Sequence, residues 1–361
     1  MARDRIRVLI DGTPLLGHRT GVGRYTAALA EELASMPGVD IRAVALTLRG
    51  WRALRSVLPH EVWARGLPAP ARLLRKFWLR SSFPPIEMIA GFSDVVHGTN
   101  FVLPVSARAG GVLTVHDLAF LDAPDELPPS DRELPELVRR SAARARVICT
   151  PTKAVAAAVV ERLDVPAERV MVTPLGVDPA WFTARPPSDE RRRRLGLPRR
   201  YLLFVGAEGP RKGLDVLYKA HAAAPDLPPL VVTGPSVSGV DGRVIRTGYL
   251  PAVELRSVVA GAAAVVLPSR DEGFGLPVLE SLACNVPVVC SDVPALREVA
   301  GDQARFVPYG DVDALAHTMS AVLGDPPPPD VVAARRAHAA GFTWRRCAEA
   351  TVAAYRRAAH R

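Results

Sequence analysis

Cysteine is scarce in this chain of 361 residues and poorly spaced for chemistry. The four present, Cys149, Cys284, Cys290 and Cys347, form no CxxC pair and have no histidine pair nearby. That argues against a zinc site and against a disulfide framework, and leaves them as small core residues. Long apolar runs are missing too: no window reaches the ~18 uninterrupted apolar residues of a membrane-spanning helix. The opening MARDRIRVLIDGTP passes from charges straight into a strand-length apolar run without a secretory h-region, so a cytoplasmic protein is expected. No internal repeat of fixed period is present. Basic residues are scattered, with no aromatic-studded basic stripe, so no nucleic-acid partner is expected.

What is there suits a soluble globular protein, with 48% hydrophobic residues, 23% charged residues and a mean hydropathy near zero. The length is too great for one ordinary core and suits two domains with a cleft between them. The net charge of +9 comes almost entirely from arginine. It could attract nucleic acid, anionic lipid or a phosphorylated substrate, or simply reflect an arginine-, alanine- and proline-rich usage. One dense run, Arg191 to Arg194, stands out.

Short apolar runs alternate with helix-like segments along most of the chain. IRVLI (6–10), VVH (95–97), GVLTVHD (111–117), RVICT (146–150) and RVMVTP (169–174) read as strands, with helical stretches such as YTAALAEELA (25–34) between them. This is the rhythm of a parallel sheet covered on both faces. The segment 184–199 is charged and proline-rich, and reads as a linker after a first domain at 1–183. A second strand series follows over 200–330, at YLLFVGA (201–207), LPPLVVTG (227–234), RVIRTGYL (243–250), AAAVVLPS (262–269), VPVVCSD (286–292) and ARFVPYG (304–310). The tail 331–361, after PPPP (326–329), reads as helical and is expected to pack back on the first domain. Two α/β, doubly wound, Rossmann-like sheets put ligands at the carboxyl ends of their strands, so the strand-to-helix loops are where chemistry belongs.

EGFGLPVLE (272–280) follows one such strand. As a single helix it would hold Glu272 and Glu280 roughly 12 Å apart, but Gly273, Gly275 and Pro277 make that arrangement unfavourable. Pro277 fits a first helical position, which leaves Glu272 in the loop and Glu280 about one turn into the helix. Two carboxylates at different depths suit a polyhydroxylated ligand, because they accept the hydrogen bonds that sugar hydroxyls donate, and the adjacent helix N-terminus suits an anion. Read alone, the same pattern equally fits a solvated Glu272 and a Glu280 that complements the helix dipole. GPRKG (209–213) sets a guanidinium beside an ammonium at another strand end, which suits a leaving diphosphate or a solvated basic turn.

SRDEGFGLPVLE (269–280) resembles the signature of the retaining glycosyltransferases of family four, which have the GT-B fold of two Rossmann-like parallel-sheet domains facing a cleft. The resemblance implies that Glu272 meets the hydroxyls of the donor sugar and that Glu280 holds the ribose. It also implies that the loop of Gly273, Phe274, Gly275 and Leu276 faces sugar and diphosphate. Arg211 and Lys212 take the family's place for neutralising the departing diphosphate. The family pattern has glutamate before the proline and asparagine after the lysine, where this chain has Gly209 and Gly213, with Glu208 one place early. TGVGRY (20–25) fits the family's glycine loop, so Gly21, Val22 and Gly23 are expected at the donor phosphate. His116 is implied at the donor sugar, with Asn100 and Asp117 lining the same cleft, and the backbone of Gly248, Tyr249 and Leu250 at the nucleobase. His97 and His116 each also fit a purely structural role at a strand end.

IDGTPLLGHRTGVGRYTAALAEEL and VHDLAFLDAPDELPP resemble the mannosyltransferase-rich branch, which implies GDP-mannose rather than a UDP-sugar as co-substrate. A glycan, glycolipid or small-molecule acceptor is implied, and no metal or other cofactor. Asp311-Val312-Asp313 looks like a metal-binding DxD, but it opens a helical run in which Asp311 reads as an N-cap. RLLRKFWLRSSFPPIEMI (72–89) mixes arginines with Phe77, Trp78 and Phe83, and fits either peripheral membrane contact or an ordinary packed helix. Two other functions stay open. A non-catalytic nucleotide-sugar binder would show no turnover. An NAD-dependent oxidoreductase would need a glycine fingerprint directly after the first strand.

Overall fold

The computed structural model describes residues 5–17, 21–48, 50–69, 71–122, 127, 129, 131–235, 239–324 and 328–359, without the side chains of 71, 72 and 210. Thr20 of the glycine loop and residues 326 and 327 of PPPP lie outside the described residues.

The chain forms two compact units, residues 1–176 with 344–361, and residues 177–343. Among the described residues, the first unit carries β1 (Ile6–Asp11), β2 (Val39–Leu46), β3 (Trp63–Leu67), β4 (Val95–Gly98), β5 (Gly110–Thr114), β6 (Val147–Thr150) and β7 (Val170–Val172). They pair in parallel in the order β3-β2-β1-β4-β5-β6-β7. The second unit carries β8 (Leu202–Val205), β9 (Leu230–Thr233), β10 (Gly239–Asp241), β11 (Val244–Gly248), β12 (Ala264–Leu267), β13 (Val288–Ser291) and β14 (Arg305–Val307). Their order is β10-β11-β9-β8-β12-β13-β14, and only the β10–β11 pair at the edge is antiparallel.

The central strands are continuous runs of valine, leucine and isoleucine because both of their faces are covered. VVHG, GGVLT and VICT are buried throughout, as are AVVL and VVCS in the second sheet. Each fully buried Val, Leu or Ile contributes about 1.5–3 kcal/mol, so cores such as Leu113, Ile148 and Val159 in one unit, and Leu202, Val232 and Val266 in the other, hold each sheet to its helices. Two strands that pattern did not reveal, β2 and β3, extend the first sheet on one side. β2 alternates Asp40 and Arg42 with apolar residues, and the edge strand β3 has no fully buried position. No described helix is long and apolar enough to cross a membrane.

The division between the units falls at 176/177, not at 183, because Trp181 is buried in the second unit and its carbonyl accepts from Cys284 Sγ at 3.3 Å. Residues 184–199 are likewise part of that unit and contain a helix, Asp189–Leu195, capped by Ser188. Ser257 Oγ donates to the carbonyl of Arg185 at 3.0 Å, which fastens the segment against helix Ala252–Ala260. Within the arginine run, Arg192 pairs with Asp189 and Arg194 with Glu254. The tail divides in two. Helix Pro329–Ala340 stays on the second unit, where Arg336 donates to the carbonyl of Ala283 at 2.8 Å. Helix Trp344–Ala359 belongs to the first, where Arg146 donates to the carbonyl of Ala358 at 2.8 Å.

Candidate functional site

In the second sheet the strand order reverses direction between β8 and β12, so a crevice opens beyond their carboxyl ends. GPRKG follows β8 and SRDEGFG follows β12, which brings the two loops side by side. Their backbones are joined: Arg270 N–H donates to the carbonyl of Arg211 at 2.8 Å, and Arg211 Nη1 donates to the carbonyl of Asp271 at 3.0 Å. Gly213 makes the close approach possible. It has φ +62°, and a Cβ there would lie 2.0 Å from the carbonyl oxygen of Pro268. This accounts for glycine where the family pattern has asparagine, since a side chain would drive the loops apart.

Glu272 stands at the centre, only 8% exposed. Its Oε1 accepts from Lys212 Nζ at 2.7 Å and from Ser269 Oγ at 2.8 Å, and Arg211 Nη1 reaches its Oε2 at 3.3 Å. Burial alone would raise the carboxyl pKa, but Lys212, then Arg211, and the hydrogen bonds outweigh it and hold the group below the usual glutamate range. Glu272 is therefore ionised and fixes both cations at the loop junction. Ser269 was not singled out in the sequence, although it lies in the signature three places before Glu272.

Gly275, at φ +88°, turns the chain into helix Leu276–Ala283, with Pro277 in its first turn. Glu272 thus lies in the loop and Glu280 one turn into the helix, where it is buried at 1% exposure. The N-terminus of this helix opens beside the Arg211–Lys212 loop, so amide dipole and cations bear on one small volume. Phe274 is buried against Phe342, ring centroids 6.0 Å apart, which stiffens the loop.

Gly248 ends β11 at φ +71°, followed by half-exposed Tyr249 and buried Leu250. Glu208, displaced from its family position, pairs with Arg246 of β11 at 3.4 Å, and the Arg246 guanidinium lies 5.5 Å from the Tyr218 ring. Beside this group a recess of about 440 Å³, lined by Glu208, Gly209, Tyr218, Arg270 and Tyr309, opens at the strand ends. Tyr218, Arg246 and Tyr309 gave no signal in the sequence because none belongs to a recognisable spacing, whereas Arg270, like Ser269, lies inside the signature.

In the first unit the glycine loop opens helix Gly21–Ala34, with Gly21 exposed and Gly23 buried, and Thr26 Oγ1 donates to the carbonyl of Val22 at 2.9 Å. His116 is buried just beyond β5. Its Nε2 lies 2.9 Å from the carbonyl of Thr99, which can only accept, so that nitrogen carries the proton. Burial pushes its pKa down against the opposing pull of the Thr99 carbonyl and Asp117, and the ring is neutral. Tyr25 packs edge-on against it at 4.9 Å. Asp117 Oδ1 accepts from Ala119 N–H at 3.2 Å, and Asn100 lies half-buried after β4. Phe101, next to it, has φ +61°, a left-handed conformation that costs a bulky residue about 1–3 kcal/mol.

His97 has a different environment. Its Nδ1 lies 2.8 Å from the Tyr355 hydroxyl and its Nε2 2.7 Å from Thr114 Oγ1, which in turn meets the Tyr25 hydroxyl at 2.9 Å. This closed network gives His97 the structural role, and burial lowers its pKa to about 3. Asp311 Oδ1 accepts from Ala314 N–H at 2.9 Å and caps helix Val312–Ala321.

Residues 20–176 match the family described as Glycosyl transferase 4-like domain, and residues 199–325 match Glycosyl transferases group 1. The chain is 30% identical over 285 residues to O-antigen chain mannosyltransferase B of Escherichia coli, which covers 73% of this chain and 74% of that protein. It is 31% identical over 305 residues to the D-inositol 3-phosphate glycosyltransferase of Stackebrandtia nassauensis, covering 73% of this chain and 68% of that one. Among solved structures, sucrose-phosphate synthase from Thermosynechococcus elongatus superposes with a TM-score of 0.75 at 21% identity over 98% of both chains, a likeness of fold. Two parallel-sheet units, the signature loops at a strand-order reversal and the matches across both units lead to one assignment: the chain belongs to the group 1 glycosyltransferases of the family-four kind, with the GT-B fold.

Proposed function

We propose that the protein is a configuration-retaining hexosyltransferase that takes its sugar, with mannose favoured, from a nucleoside-diphosphate donor. The observation that carries this reading is the cluster of Lys212, Arg211 and ionised Glu272 beside the N-terminus of helix Leu276–Ala283. In glycosyl transfer the bond from the anomeric carbon to the leaving phosphate oxygen breaks while negative charge grows on that oxygen. Lys212, Arg211 and the amides at 275–276 are the groups that would stabilise the charge, and they are held in advance by Glu272 rather than recruited during reaction. The acceptor hydroxyl then bonds the anomeric carbon, and its proton passes to the departing phosphate.

Glu272 contributes an acceptor to the sugar hydroxyls at the same time as it positions the cations. Glu280, behind it, accepts from the ribose. On the first unit, Gly21, Val22 and Gly23 are the residues proposed for the donor phosphate and His116, Asn100 and Asp117 those proposed for the donor sugar, while Gly248 to Leu250 of the second unit meet the base. His116, neutral with its proton on Nε2, is suited to hydrogen bonding with sugar hydroxyls rather than to ion pairing with phosphate. Mannose is favoured by the mannosyltransferase among the relatives, and GDP as its carrier by the resemblance of 10–33 and 115–129 to the mannosyltransferase-rich branch. The acceptor is a glycan, glycolipid or small molecule, and the reaction needs no metal.

A panel of GDP- and UDP-sugars, read by donor hydrolysis and by thermal stabilisation, tests the reading. GDP-mannose should give the largest response, Glu272→Ala and Lys212→Ala should remain folded and lose transfer, and full activity in either variant would overturn the assignment.

A further inference from the structure

Helix Ala71–Arg80 has two apolar faces, and the fold uses one. Inward, Leu74 packs on the core of the first unit, and buried Trp78, one turn on, donates from Nε1 to the carbonyl of Pro84 at 3.1 Å. Outward, Leu73 and Phe77 repeat the same spacing in solvent, interleaved with Lys76 and Arg80 in an i, i+3, i+4, i+7 stripe. The turn and short helix that follow add Phe83, Met88 and Phe92 to this exposed set. These five are 49% to 68% exposed, and they make up nearly half of the eleven large exposed hydrophobics among the described residues.

The nearby acids do not offset the cations completely. Glu87 turns away into the loop at 106–109, accepting from the amides of Ala107 and Arg108 at 3.1 Å, and Glu133 meets Lys76 only at 3.8 Å. We propose that residues 73–92 form a docking surface for an anionic lipid bilayer. Phe77, Phe83 and Met88 enter the headgroup boundary while Lys76 and Arg80 meet lipid phosphates. The pattern selects this partner because the centre of a protein–protein interface is depleted of charge, whereas a helix lying in a membrane surface combines cations with aromatic and aliphatic side chains. The inference is independent of the donor chemistry, since its readout is partition and not turnover.

The test is co-sedimentation with vesicles of phosphatidylcholine and phosphatidylglycerol, against vesicles of phosphatidylcholine alone. The protein should pellet with the anionic vesicles and be released by salt. Phe77→Ser with Phe83→Ser should abolish pelleting, with circular dichroism and melting temperature unchanged because both side chains are exposed. Arg80→Glu should weaken partition roughly 25-fold, at about fivefold per unit of charge near an anionic surface. Absence of pelleting, equal binding of neutral and anionic vesicles, or undiminished binding by the double variant would each overturn the proposal. So would a dimer that the double substitution disperses while vesicles bind neither protein, which would assign the patch to a second copy of the chain.

Discussion

Lys212→Met keeps the stem of the side chain and removes its ammonium, so it isolates what holds the two loops of the second unit together. Glu272 would retain Ser269 at 2.8 Å and Arg211 at 3.3 Å but lose its 2.7 Å partner while staying only 8% exposed. Removing one member of a fully buried pair costs 3–5 kcal/mol. The Lys212 side chain is partly exposed and one cation remains, which reduces the expected cost to about 2 kcal/mol. In a unit of this size that is a fall in melting temperature of about 4–8 °C. The pH dependence has a definite sign. The folded pKa of Glu272 is depressed, so its stabilisation is present above the unfolded value of about 4.3 and is lost as pH falls through the folded value. The gap between wild type and variant should therefore be open at neutral pH and close in acid. Scanning calorimetry from pH 7 down to about pH 2.5, below the unfolded glutamate value, measures it. A variant that melts with wild type at pH 7, or a gap that stays open or widens below about pH 4, would refute the reasoning.

Gly213→Ala should lower the melting temperature of the second unit by several degrees, at a cost of about 2–4 kcal/mol, because the new methyl meets the Pro268 carbonyl at a positive φ. Glu280→Gln should weaken nucleoside-diphosphate binding about 10- to 100-fold by isothermal titration calorimetry without lowering stability, the range of a hydrogen bond to a charged acceptor. His97, with its pKa at about 3, should make the first unit less stable below the unfolded histidine value of about 6.5, by about 2 kcal/mol at pH 5. Hydrogen exchange of residues 95–98 between pH 7 and pH 5 checks this, and a flat profile would show that the His97 network does not keep the ring neutral.

The two-unit α/β fold was legible because buried parallel strands leave unbroken apolar runs such as AVVL and VICT. The strands that went unread are those with a polar or solvent-facing side: β2 with Asp40 and Arg42, and the edge strands β3 and β10. The candidate site was legible where local covalent order sets geometry, as at Gly275-Leu276-Pro277, which fixes loop and helix start within a few residues. It was not legible where distant residues converge. No spacing shows that Ser269 and Lys212 share one carboxylate oxygen, that Glu208 pairs with Arg246, or that Glu208 and Tyr309 border the same recess. The segment 184–199 has the composition of a linker, yet packs as part of a unit because Glu254 pairs with its Arg194 and Ser257 Oγ donates to the carbonyl of its Arg185.

The return of helix Trp344–Ala359 to the first unit bears on the order in which the chain can be completed during synthesis. His97 and Tyr355 are 258 positions apart, so the hydrogen-bonded group that includes Thr114 and Tyr25 stays open until residue 355 has left the ribosome. The second unit, although encoded later than most of the first, lies between residues 177 and 343 and can close earlier. A stop codon before residue 344 would therefore spare the unit that holds Lys212 and Glu272, and leave the one that holds His116 without the helix that covers β5 and β6. Loss of residues 344–361 would register as loss of the half that was made first.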